Sequence, residues 1–449
     1  MKILIQNGRV MDPMTGRDEM ADVAIAAGRI IAIGQISPDF HPNRTLDVSG
    51  CVVAPGLIDL ALRLREPGQE HAAMLESEMA AAVAGGVTSL VCPPDTDPVL
   101  DEPGLVDMLK FRAEKLHQAR VFPLGALTRG LQGEVLTEMV ELTDSGCVGF
   151  GQAEVPIVNT QVLQRALQYA ATFGYTVWLR PQDFYMGKGV AASGSLATRM
   201  GLSGVPVLAE TIALHTLFEL MRAAQGKGKA NEGKGARVHL CRLSSAAGLD
   251  LVRQAKAEGL PVSCDVSVHN LHLTDVDMGY YDSRFRLQPP LRQQRDRDAL
   301  RAGLADGSID ALVSDHNPVS ADAKILPFAE AEPGATAVEL LLGLACKWAQ
   351  QEGLGLMQAL GVLTRGPQSV LGHSLGTLQA SLGQLAVGGQ ADLCIFDPNA
   401  SWRVEPAALL SQGHHTPFEG HELPVRVRTT LVGGQIAHDS APNAAAAKV

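Results

Sequence analysis

Short apolar runs separated by turn residues open the chain: Ile3–Ile5 before Asn7-Gly8, Val23–Ile25 before Gly28, and Ile30–Ile33 before Gly34. Runs of this length, bounded by Gly and Asn, predict a small sheet of hairpins up to residue 54. The same texture returns at residues 391–397 and 426–434. Between the two ends, apolar runs alternate with good helix formers. Strands are predicted near Val53–Leu60, Thr88–Cys92, Val121–Leu124, Val148–Gly151, Thr176–Leu179, Arg237–Cys241, Pro261–Val266 and Ala311–Val313, with helices such as Glu76–Ala84 and Leu214–Ala224 between them. That alternation predicts an α/β fold, a (β/α)8 TIM barrel over residues 55–374. The simplest place for the remaining strands is one composite β-sandwich domain built from residues 1–54 and 375–449. The Gly- and Lys-rich stretch Gly226–Gly235 reads as a solvated linker, and the Ala-rich tail 441–447 as frayed.

Composition narrows the function class. At 449 residues with 46% hydrophobic and 19% charged positions, the chain can bury a large core. A net charge of -11 and the lack of any basic run argue against nucleic acid as a partner. No apolar run approaches the roughly 20 residues a membrane helix needs. The N-terminus has no signal-peptide core. Seven scattered cysteines without zinc-ribbon spacing suggest buried, reduced thiols in a cytoplasmic protein.

The stretch around which the chain is organised is Asp59-Leu60-Ala61-Leu62-Arg63-Leu64-Arg65-Glu66-Pro67-Gly68, following the apolar run 52–58. It resembles the first barrel strand of the cyclic amidohydrolases, and the Leu-Arg-Glu-Pro-Gly-Gln-Glu run resembles dihydroorotase in particular. The resemblance covers essentially the whole chain, through Gln288-Pro289-Pro290-Leu291-Arg292, residues 304–310, Ser314-Asp315-His316-Asn317-Pro318-Val319 and residues 383–388. It implies a zinc centre whose ligands, in that family, would stand at Ala61, Arg63, Ala153, Arg180 and Arg242. A methyl group has no lone pair and a guanidinium has no acceptor, so none of these five can ligate a metal. Asp315 remains at the position of the family's general base and metal ligand. On the substrate side Arg65 is kept, Asp95 stands where the family has an amide, and Val319 replaces a histidine contact.

One carboxylate does not hold zinc, so no metal cofactor is expected, and without one water is not activated. His269, His272 and His316 show no convincing ligand spacing, and His239 is expected to face the helices. Arg63, Arg180 and Arg242 are expected to supply the cationic charge that metal would have given, in a salt-bridge cluster with Asp315 and Asp95. Lost ligands on a kept scaffold resemble the non-catalytic, dihydroorotase-like chain of certain bacterial aspartate carbamoyltransferases. That resemblance implies a pseudoenzyme: an assembly subunit joined to aspartate carbamoyltransferase chains in a large hetero-oligomer of pyrimidine biosynthesis, with self-association allowed. Two alternatives stand beside it. One is an active amidohydrolase with a rebuilt or metal-free site, using Asp315 and His316 as a base pair. The other is a small-anion sensor using the arginines.

Overall fold

The computed structural model describes residues 1–224 and 235–440, so the stretch read as a linker, apart from Gly235, and the tail 441–447 lie outside the described residues. Eight parallel barrel strands follow in order: β1 (Leu57–Asp59), β2 (Val87–Cys92), β3 (Arg120–Pro123), β4 (Phe150–Gly151), β5 (Thr176–Leu179), β6 (Arg237–Leu240), β7 (Val262–Ser267) and β8 (Ala311–Val313). β3 is interrupted at Leu124 and resumes as Gly125–Ala126, which pairs with β4. The ring closes between its ends through a parallel bridge from Leu62 to His316, with Arg63 N donating to His316 O at 2.9 Å.

Barrel strands are buried on both faces, and two apolar clusters separate those faces. Ile58, Leu60, Val91, Trp178, Ala311 and Val313 fill the barrel interior. Leu57, Leu90, Val177, Val238, Leu240 and Leu312, the alternate positions, pack against the helices. Since side chains alternate along a strand, His239, between Val238 and Leu240, points into the barrel. Its ring lies 4.3 Å from that of Trp178. The expectation that His239 faces the helices is therefore wrong; both of its neighbours are outward.

The first apolar run also divides. Val52–Pro55 belongs to the sheet of the chain ends, and Leu57–Asp59 to the barrel. Gly56 lies at the crossing, where an added Cβ would sit 2.1 Å from Thr88 Oγ1. The sheet joins eight strands from both ends of the chain. Val52–Pro55 pairs on one side with Lys2–Asp12 and on the other with Leu393–Arg403. It curls over one apolar core made of Ile3, Ile25, Val53, Ile395, Leu431 and their neighbours. The curl brings Arg44 to within 3.1 Å of Asp439. Residues 375–392 hold no strand of this sheet. Leu375 and Leu382 there join the barrel-interior cluster with Val370 and Leu371, closing the barrel's N-terminal end. No described helix is long and apolar enough to cross a membrane.

Candidate functional site

Every position at which the sequence places chemistry lies just beyond the C-terminal end of a barrel strand, where barrel enzymes carry their reactive groups. Arg63 and Arg65 follow β1, Asp95 follows β2, Ala153 and Glu154 follow β4, Arg180 follows β5, Arg242 follows β6 and Asp315 follows β8. Four of these residues hold left-handed backbone: Arg65 (φ 59°), Ala153 (48°), Arg242 (56°) and Asp315 (50°). Such conformations cost non-glycine residues roughly 1–3 kcal/mol each and gather at functional sites. The scaffold holds strained, site-shaped strand ends although the side chains on them have changed character.

The side chains form a closed set of ion pairs. Arg63 donates from Nε to Asp95 Oδ2 at 2.9 Å and from Nη2 to Glu154 Oε1 at 2.8 Å. Arg242 donates from Nη1 to Asp315 Oδ1 at 2.9 Å and from Nη2 to Glu154 Oε1. Arg180 brings Nε to 2.5 Å from Glu154 Oε2 and donates to Gln182 and to the carbonyl of residue 154. Three guanidiniums thus meet three carboxylates. The side chains of the arginines are only 3–7% exposed. The expected cluster forms, with Asp315 and Asp95 both in it. Its hub, however, is Glu154, which sequence reasoning missed. The available signal was charge: three new arginines needed a third carboxylate, and Glu154 directly follows a lost ligand position.

Electrostatics follow from this packing. Burial raises the Glu154 carboxyl, but Arg242, Arg180 and Arg63 outweigh it and hold the group well below the usual carboxylate range. Asp315 goes the other way: burial pushes it up to about 6, against the pull of Arg242 and Arg63. A folded-state value above the unfolded one means that stability rises as pH falls through about 6 and is fully gained below about 3.8. Relative to an Asp315→Asn variant, the natural chain should therefore gain up to about 3 kcal/mol between pH 7.5 and 4. Urea unfolding of both proteins across that range tests this, and parallel profiles would refute it.

Arg65 stands apart from the cluster. It donates to the carbonyl of Pro318 at 2.9 Å and to Gln69, and reaches Glu332 at 3.4 Å. Val319 is buried, and Ala61 continues the apolar barrel lining. His316 turns away from the mouth. Its Nδ1 accepts the backbone N–H groups of Ala337 (3.1 Å) and Val338 (3.3 Å), which leaves Nε2 to donate to Glu78 at 2.5 Å. It does not form a base pair with Asp315. His272 gives its Nε2 to the carbonyl of Leu344 at 3.0 Å, and burial pushes it and His269 down to about 3.

The zinc implied by the fold family can be tested against these residues. At the mouth, guanidiniums and methyl groups occupy the five ligand positions and the guanidiniums take up the carboxylates, which is not a donor set for a divalent cation. Deeper in the barrel, His239, Cys241 and Asp265 place potential ligand atoms within 4.8 Å of one another. They are already partnered: His239 bonds Ser263 and Asp265 at 2.8 Å each, and Asp265 Oδ1 accepts Arg242 N at 2.7 Å. Burial raises the Cys241 thiol well above its ordinary value in the metal-free fold. The guanidinium-lined mouth does not fit the metal, and the deeper three residues use ligand atoms that already bond one another and the Arg242 backbone.

The profile of the dihydro-orotase-like family matches residues 50–233, and that of the amidohydrolase family residues 209–437. The chain is 44% identical over 440 residues to a "Dihydroorotase-like protein" of Pseudomonas aeruginosa, covering 98% of this chain and 100% of that one. It is 37% identical over 443 residues to a "Dihydroorotase" of Geobacter sp. (strain M21), covering 98% and 100%. Among solved structures it resembles the L-hydantoinase (dihydropyrimidinase) of Arthrobacter aurescens, with a TM-score of 0.84 at 22% identity over 98% of this chain and 96% of that one, a likeness of fold. With sequence matches running almost end to end and the fold agreeing, the chain belongs to the dihydroorotase-like amidohydrolases.

Proposed function

We propose that this chain is a catalytically silent dihydroorotase homologue, carrying no zinc, that serves as a structural subunit of aspartate carbamoyltransferase in cytoplasmic pyrimidine synthesis. The observation that carries the first half is the closed cluster at the barrel mouth. Opening a cyclic amide needs an activated water and a polarised carbonyl. Here arginines stand at three of the five metal-ligand positions and alanines at the other two, and the guanidiniums pair with Asp95, Glu154 and Asp315. The same pairing disfavours an anion sensor at this mouth, since each guanidinium already has a carboxylate.

The partner follows from the sequence resemblance to the non-catalytic chain of bacterial aspartate carbamoyltransferases. The kept scaffold supports it: the strained strand ends and the buried core persist around a mouth with no donor set. Co-expression with the aspartate carbamoyltransferase chain of the same organism should give a single large species in size-exclusion chromatography, with near-zero zinc and no dihydroorotate hydrolysis. Separate elution of the two chains at micromolar concentration would overturn the partner. One or two zinc ions per chain together with hydrolysis would overturn the silence.

A further inference from the structure

At the opposite end of the barrel a cavity of about 630 Å³ opens among the N-terminal ends of β5, β6 and β7. Its volume lies within the range of small-molecule sites, about 300–1,000 Å³. Arg237, the first residue of β6, lines it. Two contacts fix the guanidinium: Nη1 bonds His373 Nδ1 at 2.6 Å, and Nη2 donates to the carbonyl of Val370 at 3.1 Å. His373 Nε2 lies 2.9 Å from the carbonyl of Gly174 and donates to it, so Nδ1 is the acceptor toward Arg237. The five N–H groups of a guanidinium leave three still to be satisfied.

Unlike the mouth arginines, Arg237 has no carboxylate partner among the described residues. Its only electrostatic perturbation is burial, which lowers it with no acid to pull it back. Asp310, the carboxylate lining the cavity, has its charge balanced by Lys256: its Oδ2 pairs with Lys256 at 2.6 Å and accepts Cys264 N at 2.8 Å. Phe173 and Tyr175 also line the cavity, stacked with centroids 5.6 Å apart and planes 14° from parallel. Phe173 is half-exposed, so its ring is open to a ligand.

We propose that this cavity is a binding site for a small anion carrying a flat ring. The fork of Arg237 takes the carboxylate or phosphate, and the Phe173–Tyr175 wall takes the ring. An oxyanion matches the unused guanidinium donors in geometry and charge. A ring adds offset or edge contacts with the aromatic wall. The site is independent of the barrel mouth, and its occupancy does not depend on whether the chain is catalytic or which partner it joins.

Isothermal titration of the full chain with adenosine monophosphate, benzoate, adenosine and inorganic phosphate tests this. The two ring-bearing anions should bind, and comparing them shows whether phosphate or carboxylate is preferred. Adenosine, without charge, and inorganic phosphate, without a ring, should each bind at least about tenfold more weakly than adenosine monophosphate. Arg237→Gln should weaken both ring-bearing anions about tenfold or more. Phe173→Ala, at a half-exposed helix end, keeps the test alive if the first variant is unstable. It should weaken the ring-bearing anions and leave inorganic phosphate unchanged. No heat from adenosine monophosphate or benzoate at millimolar concentration, or natural affinity in both variants, overturns the proposal.

Discussion

Glu154→Gln should destabilise the chain by about 3 kcal/mol, because it leaves a buried cation without its countercharge. Arg63 keeps Asp95 and Arg242 keeps Asp315 in that variant, but Arg180 keeps only Gln182 and a backbone carbonyl. Its side chain is 3% exposed, so water cannot take the place of the lost partner. Hence the second half of the expectation: adding Arg180→Met to Glu154→Gln should recover most of the loss, since an apolar replacement for a buried ion is often neutral or better. Urea midpoints of the natural chain, both single variants and the double variant give the coupling directly. Losses that simply add would show that Glu154 and Arg180 do not depend on one another. The pH dependence has a fixed sign. Glu154 titrates below its ordinary 4.5 in the folded state, so its contribution is present above 4.5 and is lost as pH falls further. Because the Glu154 charge also helps to raise Asp315, the gap between the natural chain and Glu154→Gln should widen as pH falls through about 6 and shrink again below 4.5 as Glu154 itself protonates.

Glu78→Ala should cost as much or more, about 3–5 kcal/mol. The Glu78 carboxylate is fully buried on the helix α1 (Leu75–Ala84) and collects donors from three parts of the fold. His316 Nε2 donates at 2.5 Å from beyond β8, Ser411 Oγ at 2.7 Å and Gln412 N at 3.0 Å from the C-terminal region, and Ser77 Oγ at 2.8 Å locally. Removing the carboxylate leaves His316 Nε2 and Gln412 N unsatisfied inside the protein, and Ser411 Oγ with only the hydroxyl of Thr336. It also frees the imidazole whose other nitrogen orders Ala337 and Val338. Thermal unfolding followed by circular dichroism reads the loss. A change below about 1 kcal/mol would show that the network contributes no more than an average hydrogen bond. This places His316 as a structural residue, although it sits next to the one surviving acid of the site.

Much of the architecture could be read from pattern alone. Strands such as Thr176–Leu179 and Ala311–Val313 have the expected bounds, because short apolar runs between helices have few other places to go. The failures have physical causes. Val52–Asp59 is continuous in apolarity but not in space, and one glycine changes its sheet. Periodicity cannot give the facing of His239, because a barrel strand is apolar on both sides. Residues 375–392 divide between the two parts: Leu375 and Leu382 serve the barrel floor, while Leu385 and Ala391 join the core of the end sheet. At the site, the positions of Arg63, Arg180 and Arg242 were legible because their flanks are well matched. Glu154 is legible only through charge balance, because its role as hub arises where three strand ends converge and no local motif marks it.

The sheet shared by the two chain ends also constrains synthesis. Val52–Pro55 pairs with Leu393–Phe396, so about 340 residues must emerge before the first fifty can complete their sheet. At common translation rates that is on the order of 20–70 s. Through that interval the edge of Val52–Pro55 that will receive the late strand is an unpaired row of peptide groups, open to other nascent chains. A ribosome stalled between the barrel and residue 393 would therefore present a finished barrel with a half-built, adhesive sheet.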